Sequence, residues 1–270
     1  MSGTCFMCNQ TSTIIIGPRK TGSTSFYSLL NPAFDNTSGL KESYFWNSQY
    51  FKYLSLDKKF VYNQAFSSEP SYFSDLRAYT SLSQSTLDLK IIVVLRDPYK
   101  RFISHYRHGL SKGYYNSSVN PALAIERYPC LWYDSLYSVF LPLWMSRFDT
   151  IVIDFDDLIS DLENVLFRLS SFLSKDLSGL PKILPSDNIT PNSRGYLLTK
   201  SAVIFHRLLS PLFGETKVFK SLTSFSKSLV YSNSSSFGCD FELPDSLACA
   251  LSEEKAFMRS ILSSRIADSS

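Results

Sequence analysis

The chain has 270 residues, of which 44% are hydrophobic and 15% aromatic, and its formal net charge is +3. A chain of this length and apolar content buries a sizeable core, which excludes wholesale disorder. The small net charge, without dense basic clusters, argues against a nucleic-acid partner. No apolar run approaches the roughly 20 residues of a membrane span, and the N-terminus lacks a signal-peptide pattern. We therefore expect a soluble, cytoplasmic protein without a membrane partner.

The first half of the chain alternates short β-branched runs with helical patterns, which is typical of βαβ units around a parallel sheet. Strands are predicted at residues 13–16, 60–65, 90–95 and 150–153. Helices are predicted at residues 23–30, 98–110, 202–212 and 244–262, and one longer apolar repeat indicates about five helical turns over residues 155–173. The expected fold is α/β: a P-loop-like three-layer fold with a central parallel sheet flanked by helices and a helical C-terminal third. Residues 1–12 are predicted to be a short tail and residues 13–270 a single domain.

The segment 17–24 (G-P-R-K-T-G-S-T) links the first predicted strand to the first predicted helix. Backbone amides at a helix N-terminus favour a phosphate or sulfate group, and Lys20, Ser23 and Thr24 add side-chain donors. The Walker A loop has a similar pattern, but Ser23 stands where that loop has its lysine. A P-loop kinase or nucleoside triphosphatase is therefore the lesser alternative.

A second anion site is predicted where the strand at 90–95 ends. Arg96 closes this strand, and Asp97-Pro98 is the pattern of a helix N-cap followed by proline at the first helical position. Ser104 lies about two turns along the helix, on the polar side that also carries Arg101, whereas Tyr99 belongs to the apolar side. An arginine at this place suits a phosphate, because its planar fork binds two oxygens at once.

Together these segments resemble the sulfotransferases that use 3′-phosphoadenosine 5′-phosphosulfate (PAPS), most closely the carbohydrate branch that modifies heparan sulfate. The resemblance implies that the first loop binds the 5′-phosphosulfate and that Arg96 and Ser104 hold the 3′-phosphate. Residues 192–195 are similar to a cofactor-covering loop of the family. The implied cofactor-binding residues are Arg19, Lys20, Thr21, Gly22, Ser23, Thr24, Arg96, Ser104, Arg194 and Gly195.

The same resemblance assigns the catalytic groups. The segment 41–46 (K-E-S-Y-F-W) is similar to a family stretch whose glutamate is the base, which points to Glu42, while Lys20 would neutralise the leaving oxygen. No metal is implied. An alternative for Glu42 is a surface ion pair with Lys41 or Arg77. Phe45 and Trp46 are as well explained by core packing as by an acceptor pocket.

The acceptor is less closely defined than the donor. The segment 69–73 (E-P-S-Y-F) resembles a T-P-x-Y-F stretch that usually follows a lysine in the carbohydrate enzymes, and Ser68 stands at that place. A hydroxyl or amine of a carbohydrate is slightly favoured, with a small-molecule secondary metabolite as the alternative. A catalytically idle nucleotide-binding protein is a further alternative. PAPS is the expected donor and adenosine 3′,5′-bisphosphate (PAP) the expected product.

Overall fold

The computed structural model describes residues 11–34, 41–49, 64–115, 119–185, 192–193, 231–232 and 243–267. These residues fall in two compact units. The first unit contains the described residues of 11–101, 132–185 and 249–267. The second contains those of 102–131, 192–193, 231–232 and 243–248.

The first unit is built on a four-stranded parallel sheet with the strand order β2-β1-β3-β4. The strands are β1 (Ser12–Ile15), β2 (Phe66–Ser68), β3 (Leu89–Leu95) and β4 (Asp149–Asp154). In the register, Ile14 pairs with Ile91, and Ile92 pairs with Ile151. β-branched side chains fit such a sheet because both of its faces are covered.

The helices are α1 (Ser23–Leu30), α2 (Leu76–Ser83), α3 (Pro98–Ser111), α4 (Pro121–Arg127), α5 (Cys130–Tyr133), α6 (Tyr137–Arg147), α7 (Phe155–Ser160), α8 (Leu162–Leu173) and α9 (Asp245–Ala267). Short 3₁₀ turns at Asn31–Ala33 and Pro70–Tyr72 and a π-helical turn at Phe45–Gln49 complete the helical elements of the described residues. In the second unit, β5 (Asn192–Ser193) pairs antiparallel with β6 (Tyr231–Ser232).

Two apolar clusters cover the two faces of the parallel sheet. Alternate strand residues enter each cluster, so that Ile14 packs with side chains of α6, and Ile15 packs with side chains of α1 and α8. Side chains of a strand alternate between the faces, and the helices on either side therefore make three layers. The predicted three-layer α/β fold is confirmed.

Most predicted elements agree with the structure. The strands predicted at 13–16, 90–95 and 150–153 and the helices predicted at 23–30 and 98–110 are confirmed with boundary shifts of one residue at most. The helix predicted at 244–262 corresponds to α9, which ends at Ala267. Residues 202–212 lie outside the described residues, and the division into a tail and a single domain stays a prediction.

Two element predictions are wrong in their limits. The second strand, predicted at residues 60–65, spans Phe66–Ser68 instead. Residues 64 and 65 are not part of the sheet, and residues 60–63 lie outside the described residues. The repeat at 155–173 forms two helices rather than one. Asp161 interrupts it with φ −145° and, as the N-cap of α8, accepts a hydrogen bond from the amide of Asn164. An Asp side chain at an N-cap satisfies an amide that has no partner within the helix.

Candidate active site

The strand order of the parallel sheet places a switch point at the carboxyl ends of β1 and β3. The chain leaves β1 to form β2 on one side, whereas β3 lies on the other side of β1. Ligands of open α/β sheets bind where the strand order changes direction in this way. The loop 17–22 follows β1 and Arg96 follows β3, so two predicted anion-binding segments meet at this edge.

Two glycines of the loop are required by their surroundings. A Cβ atom on Gly17 would lie 2.7 Å from both the backbone nitrogen and the backbone oxygen of Val94, so β3 leaves no room for a side chain. Gly22 has φ +77°, and a Cβ atom there would lie 2.6 Å from the ring of Phe155. Both glycines therefore let the loop pack directly against neighbouring elements.

The N-terminus of α1 offers backbone donors to an anion. Gly22 is the N-cap residue, and no side chain caps the helix. The first amides of a helix lack partners within it, and the helix dipole favours negative charge there. The hydroxyl of the fully buried Thr21 donates to the carbonyl of Pro18 at 2.8 Å, so this side chain closes the turn. A contact of Thr21 with an anion would therefore come from its backbone amide.

Arg96 braces the other side of the loop. Its Nη1 donates to the carbonyl of Lys20 at 3.2 Å, and its guanidinium carbon lies 4.7 Å from the centre of the Phe155 ring. The Nε atom is buried and has no hydrogen-bond partner among the described residues. Burial lowers the pKa of Arg96 from its usual value, although nearby acidic groups oppose that shift. Arg96 thus retains one unused, buried donor beside the loop, a donor that an anion would satisfy.

The buried carboxylate of Asp134 holds the loop through Arg19. Arg19 Nη1 donates to both carboxylate oxygens of Asp134, at 3.0 Å and 2.8 Å, and Ser74 Oγ donates to the same carboxylate at 2.6 Å. Arg101 Nη1 donates to the carbonyl of Arg19 at 3.4 Å, and its other nitrogens donate to Ser135 Oγ. Arg101 is fully buried, so the polar side of α3 faces polar groups of the protein rather than solvent at this position. The Arg101 guanidinium group therefore holds the loop in place.

Glu42 lies within a small hydrogen-bonded cluster beside α1. Lys41 Nζ donates to Glu42 Oε1 and to Thr24 Oγ1, at 2.7 Å each. The Tyr44 hydroxyl donates to Glu42 Oε2. About a quarter of each of the Lys41 and Glu42 side chains is exposed, 24% and 28%. The Glu42 side chain is therefore partly exposed, and Lys41 Nζ links its carboxylate to Thr24 in the first turn of α1.

Glu69 is a second carboxylate behind this cluster, and it is fully buried. It accepts hydrogen bonds from the amide and hydroxyl of Ser43 and from the amide of Tyr44. Burial raises the pKa of Glu69, the donors of Ser43 and Tyr44 lower it, and the nearby charge of Glu42 raises it, so that the resulting pKa is about 7. Glu69 thus anchors the backbone that carries the Glu42 cluster.

Comparison with known proteins identifies the family. The model of the sulfotransferase domain matches residues 10–192, more than half of the chain. The chain belongs to the sulfotransferase family. Two proteins of Mus musculus, heparan sulfate glucosamine 3-O-sulfotransferases 3B1 and 3A1, are each 29% identical to this chain over 205 residues, which is 70% of this chain and 51% of the relative. The chain therefore spans about half the length of the curated relatives it matches.

A solved structure shows the same fold. The crystal structure of a sulfotransferase from Alicyclobacillus acidocaldarius matches this chain with a TM-score of 0.52 and 18% sequence identity. The match covers 77% of this chain and 96% of that chain. This match shows the fold, whereas the family model confirms the predicted membership of the sulfotransferase family.

Eight of the predicted site residues lie in the first unit. These residues are Arg19, Lys20, Thr21, Gly22, Ser23, Thr24, Glu42 and Arg96. Ser104 lies on α3 in the second unit, and Arg194 and Gly195 lie outside the described residues. The assignment of all these residues, in either unit, to the cofactor or to catalysis stays a prediction.

The alternatives for the segment 41–46 are also clearer. Glu42 pairs with Lys41, whereas Arg77 pairs with Asp75 at 2.8 Å. Phe45 and Trp46 belong to the core, because both are buried against the sheet. They leave Tyr44 as the exposed aromatic side chain of this segment.

Some residues that shape the site carried no signal in the sequence. Asp134 lies 115 residues from Arg19, and no motif surrounds it. Phe155 begins α7 with an apolar side chain that is indistinguishable from core residues until its ring is seen between Gly22 and Arg96. Glu69 stands next to Ser68, where the sequence departs from the family pattern, but its contact with Ser43 depends on the fold.

The described residues hold neither a cluster of metal ligands nor a helix that could span a membrane. No group of three or more His, Cys, Asp or Glu side chains in them is placed to hold a metal ion. Among the helices described, none is both long enough and apolar enough to cross a membrane.

Proposed function

We propose that this sulfotransferase transfers the sulfonate group of PAPS to a hydroxyl or amine of an acceptor and releases PAP. The observation that carries the proposal is the juxtaposition of the uncapped N-terminus of α1 with Arg96, whose Nε is buried and without a partner among the described residues. PAPS carries two separate anionic groups, and it supplies the activated sulfonate when it is bound. The two donor sets suit these two groups.

On the donor side, the amides of residues 22–24 and the hydroxyls of Ser23 and Thr24 would hold the 5′-phosphate. Lys20 would neutralise the charge that grows on the leaving oxygen. Arg96, with Ser104 on α3, would hold the 3′-phosphate. Arg194 and Gly195 would cover the nucleotide. The place of the Walker lysine is taken by Ser23, which begins α1, and this is unfavourable for a nucleoside triphosphate.

On the acceptor side, Glu42 would act as the general base. It would accept the acceptor proton while the acceptor atom bonds to sulfur and the bond from sulfur to the 5′-phosphate oxygen breaks. The short distance between Glu42 and the predicted phosphate loop supports this role. Lys41 Nζ lies 2.7 Å from Glu42 Oε1 and 2.7 Å from Thr24 Oγ1, and so joins the carboxylate to the loop.

A carbohydrate acceptor is slightly favoured. The two curated relatives are named as heparan sulfate glucosamine sulfotransferases, and the exposed ring of Tyr44 offers a surface of the kind on which sugar rings lie. A small-molecule secondary metabolite is the second candidate. Ser68 supports it, because this residue is fully buried and supplies no cation at the place where the carbohydrate enzymes usually have a lysine.

The test is a transfer assay with PAPS labelled in its sulfonate group. The purified protein is incubated with desulfated heparan oligosaccharides and, separately, with a panel of small alcohols, phenols and amines. We expect label in at least one acceptor with the wild type and strongly reduced label with Glu42→Gln. Equal transfer by both proteins would remove Glu42 from the base role. Transfer from labelled ATP instead of PAPS would contradict the donor.

A further inference from the structure

Tyr44 has an unusual backbone conformation for an exposed aromatic residue. Its φ is +52°, in the left-handed region that residues with a side chain seldom adopt. Its side chain is 45% exposed, although aromatic rings favour burial. Such conformations persist only where the surrounding structure imposes them, and they concentrate at functional sites.

Buried groups on both sides impose this conformation. Before Tyr44, the buried Glu69 accepts from the Ser43 hydroxyl at 2.7 Å and from the Tyr44 amide at 3.3 Å. After it, the Trp46 amide donates to the Tyr72 hydroxyl at 3.1 Å. These contacts fix the backbone at 43–46, so that the Tyr44 side chain turns back over Glu42.

Both oxygens of Glu42 carry a donor in this arrangement. Lys41 Nζ donates to Oε1, and the Tyr44 hydroxyl donates to Oε2. An acceptor hydroxyl must donate to one of these oxygens before Glu42 can take its proton. Lys41 is also bound to Thr24, whereas the Tyr44 hydroxyl has Glu42 as its one partner among the described residues and its ring is open to solvent. Tyr44 is therefore the donor with fewer contacts to lose.

The Tyr44 hydroxyl stays protonated, as a donor must. Burial of the hydroxyl raises its pKa above the usual range, and the hydrogen bond to Glu42 adds to the shift. At neutral pH the group therefore presents an O–H to the carboxylate, as a sugar or alcohol hydroxyl would.

We infer that the Tyr44 hydroxyl holds the place of the acceptor hydroxyl on Glu42 Oε2, keeps water from this oxygen, and leaves when an acceptor binds. This inference rests on the proposed function. It makes Tyr44 a specificity residue: acceptors must bring a hydroxyl donor that replaces the phenol, next to a ring face that contacts the aromatic side chain. It also gives the protein a means of limiting the loss of sulfonate to water when no acceptor is present.

The test uses PAPS alone, so that the acceptor need not be known. Hydrolysis forms a bond from the water oxygen to sulfur, breaks the bond from sulfur to the 5′-phosphate oxygen and passes a water proton to Glu42, which gives sulfate and PAP. We expect Tyr44→Phe to hydrolyse PAPS, measured as the formation of PAP, about tenfold faster than the wild type. This factor corresponds to the loss of one hydrogen bond to a carboxylate. Combining Tyr44→Phe with Glu42→Gln should abolish the gain.

The matched control is Tyr114→Phe, which removes the hydroxyl of a tyrosine that is 52% exposed. This variant should release PAP at the wild-type rate. A Tyr44→Phe protein that binds PAP normally but releases it no faster than the wild type overturns the inference and leaves the proposed function intact. A wild type that fails to bind PAP contradicts the proposed function itself.

Discussion

Replacing Gly22 by alanine tests whether the phosphate loop owes its shape to this glycine. The substitution places a side chain on a residue with φ +77°, which costs about 1–2 kcal/mol for the left-handed conformation. The new Cβ would also lie 2.6 Å and 3.0 Å from two ring carbons of Phe155. Relieving this overlap costs about 1–3 kcal/mol. The expected loss in the free energy of unfolding is therefore about 2–5 kcal/mol, a large part of the typical total.

The same substitution should weaken anion binding. The Phe155 ring lies between the loop and Arg96, whose guanidinium carbon is 4.7 Å from the ring centre. A ring that moves away from an alanine at position 22 shifts the surface on which Arg96 rests. We expect the affinity for PAP to fall together with the stability.

Urea unfolding followed by circular dichroism measures the effect, with Gly179→Ala as the matched control. No atom lies within 4 Å of a Cβ placed on Gly179, so this variant should stay within about 0.5 kcal/mol of the wild type. If the free energies of unfolding of Gly22→Ala and Gly179→Ala differ by less than about 1 kcal/mol, the close packing of the loop against Phe155 is refuted.

Three further predictions concern single carboxylates or cations. Glu42→Gln should lower turnover by roughly 10²–10⁴ while PAP binding survives, because only the proton acceptor is lost. Arg96→Ala should weaken PAP binding by at least tenfold, since it removes a charged donor, as calorimetry will show. Glu69→Gln should flatten the dependence of stability on pH. The folded pKa of Glu69, about 7, exceeds the ordinary 4.5, so the folded protein binds more protons than the unfolded chain between these values. The free energy of unfolding of the wild type then falls by about 3 kcal/mol as the pH rises through this window.

Each of these predictions has a contradicting outcome, and the first two have a matched control variant. Glu163→Gln changes an exposed carboxylate and should keep full turnover; a Glu42→Gln protein that matches it would place the base elsewhere. Arg77→Ala removes a surface partner of Asp75, and equal PAP affinity of this variant and Arg96→Ala would exclude Arg96 from the site. If the free energy of unfolding changes equally with pH in Glu69→Gln and the wild type between pH 4.5 and about 7, the buried carboxyl does not titrate in this range.

The sequence predicts those parts of the site that depend on local rules. Asp97 caps α3 as its pattern with Pro98 indicates, and it accepts from the Lys100 amide at 3.0 Å. The loop lies between a strand and a helix because β-branched residues end at Gly17 and helical spacing begins at Ser23. Such features are fixed within a few residues of the chain, so the sequence alone predicts them.

The contacts that orient the site are long-range, and the sequence does not contain them in readable form. The burial of Arg101 follows from Ser135 and Arg19, which no periodicity connects with α3. The start of β2 at Phe66 depends on pairing with β1, where Thr13 lies opposite it. Tertiary pairing decides such boundaries over local propensity.

The most direct test of the proposed function is a calorimetric titration of the protein with adenosine 3′,5′-bisphosphate, with ATP and magnesium in a parallel titration. The two anion-binding segments at β1 and β3 predict tight binding of the bisphosphate and weak binding of ATP. A folded protein that does not bind the bisphosphate, or that prefers ATP, would contradict the assignment of PAPS as the donor.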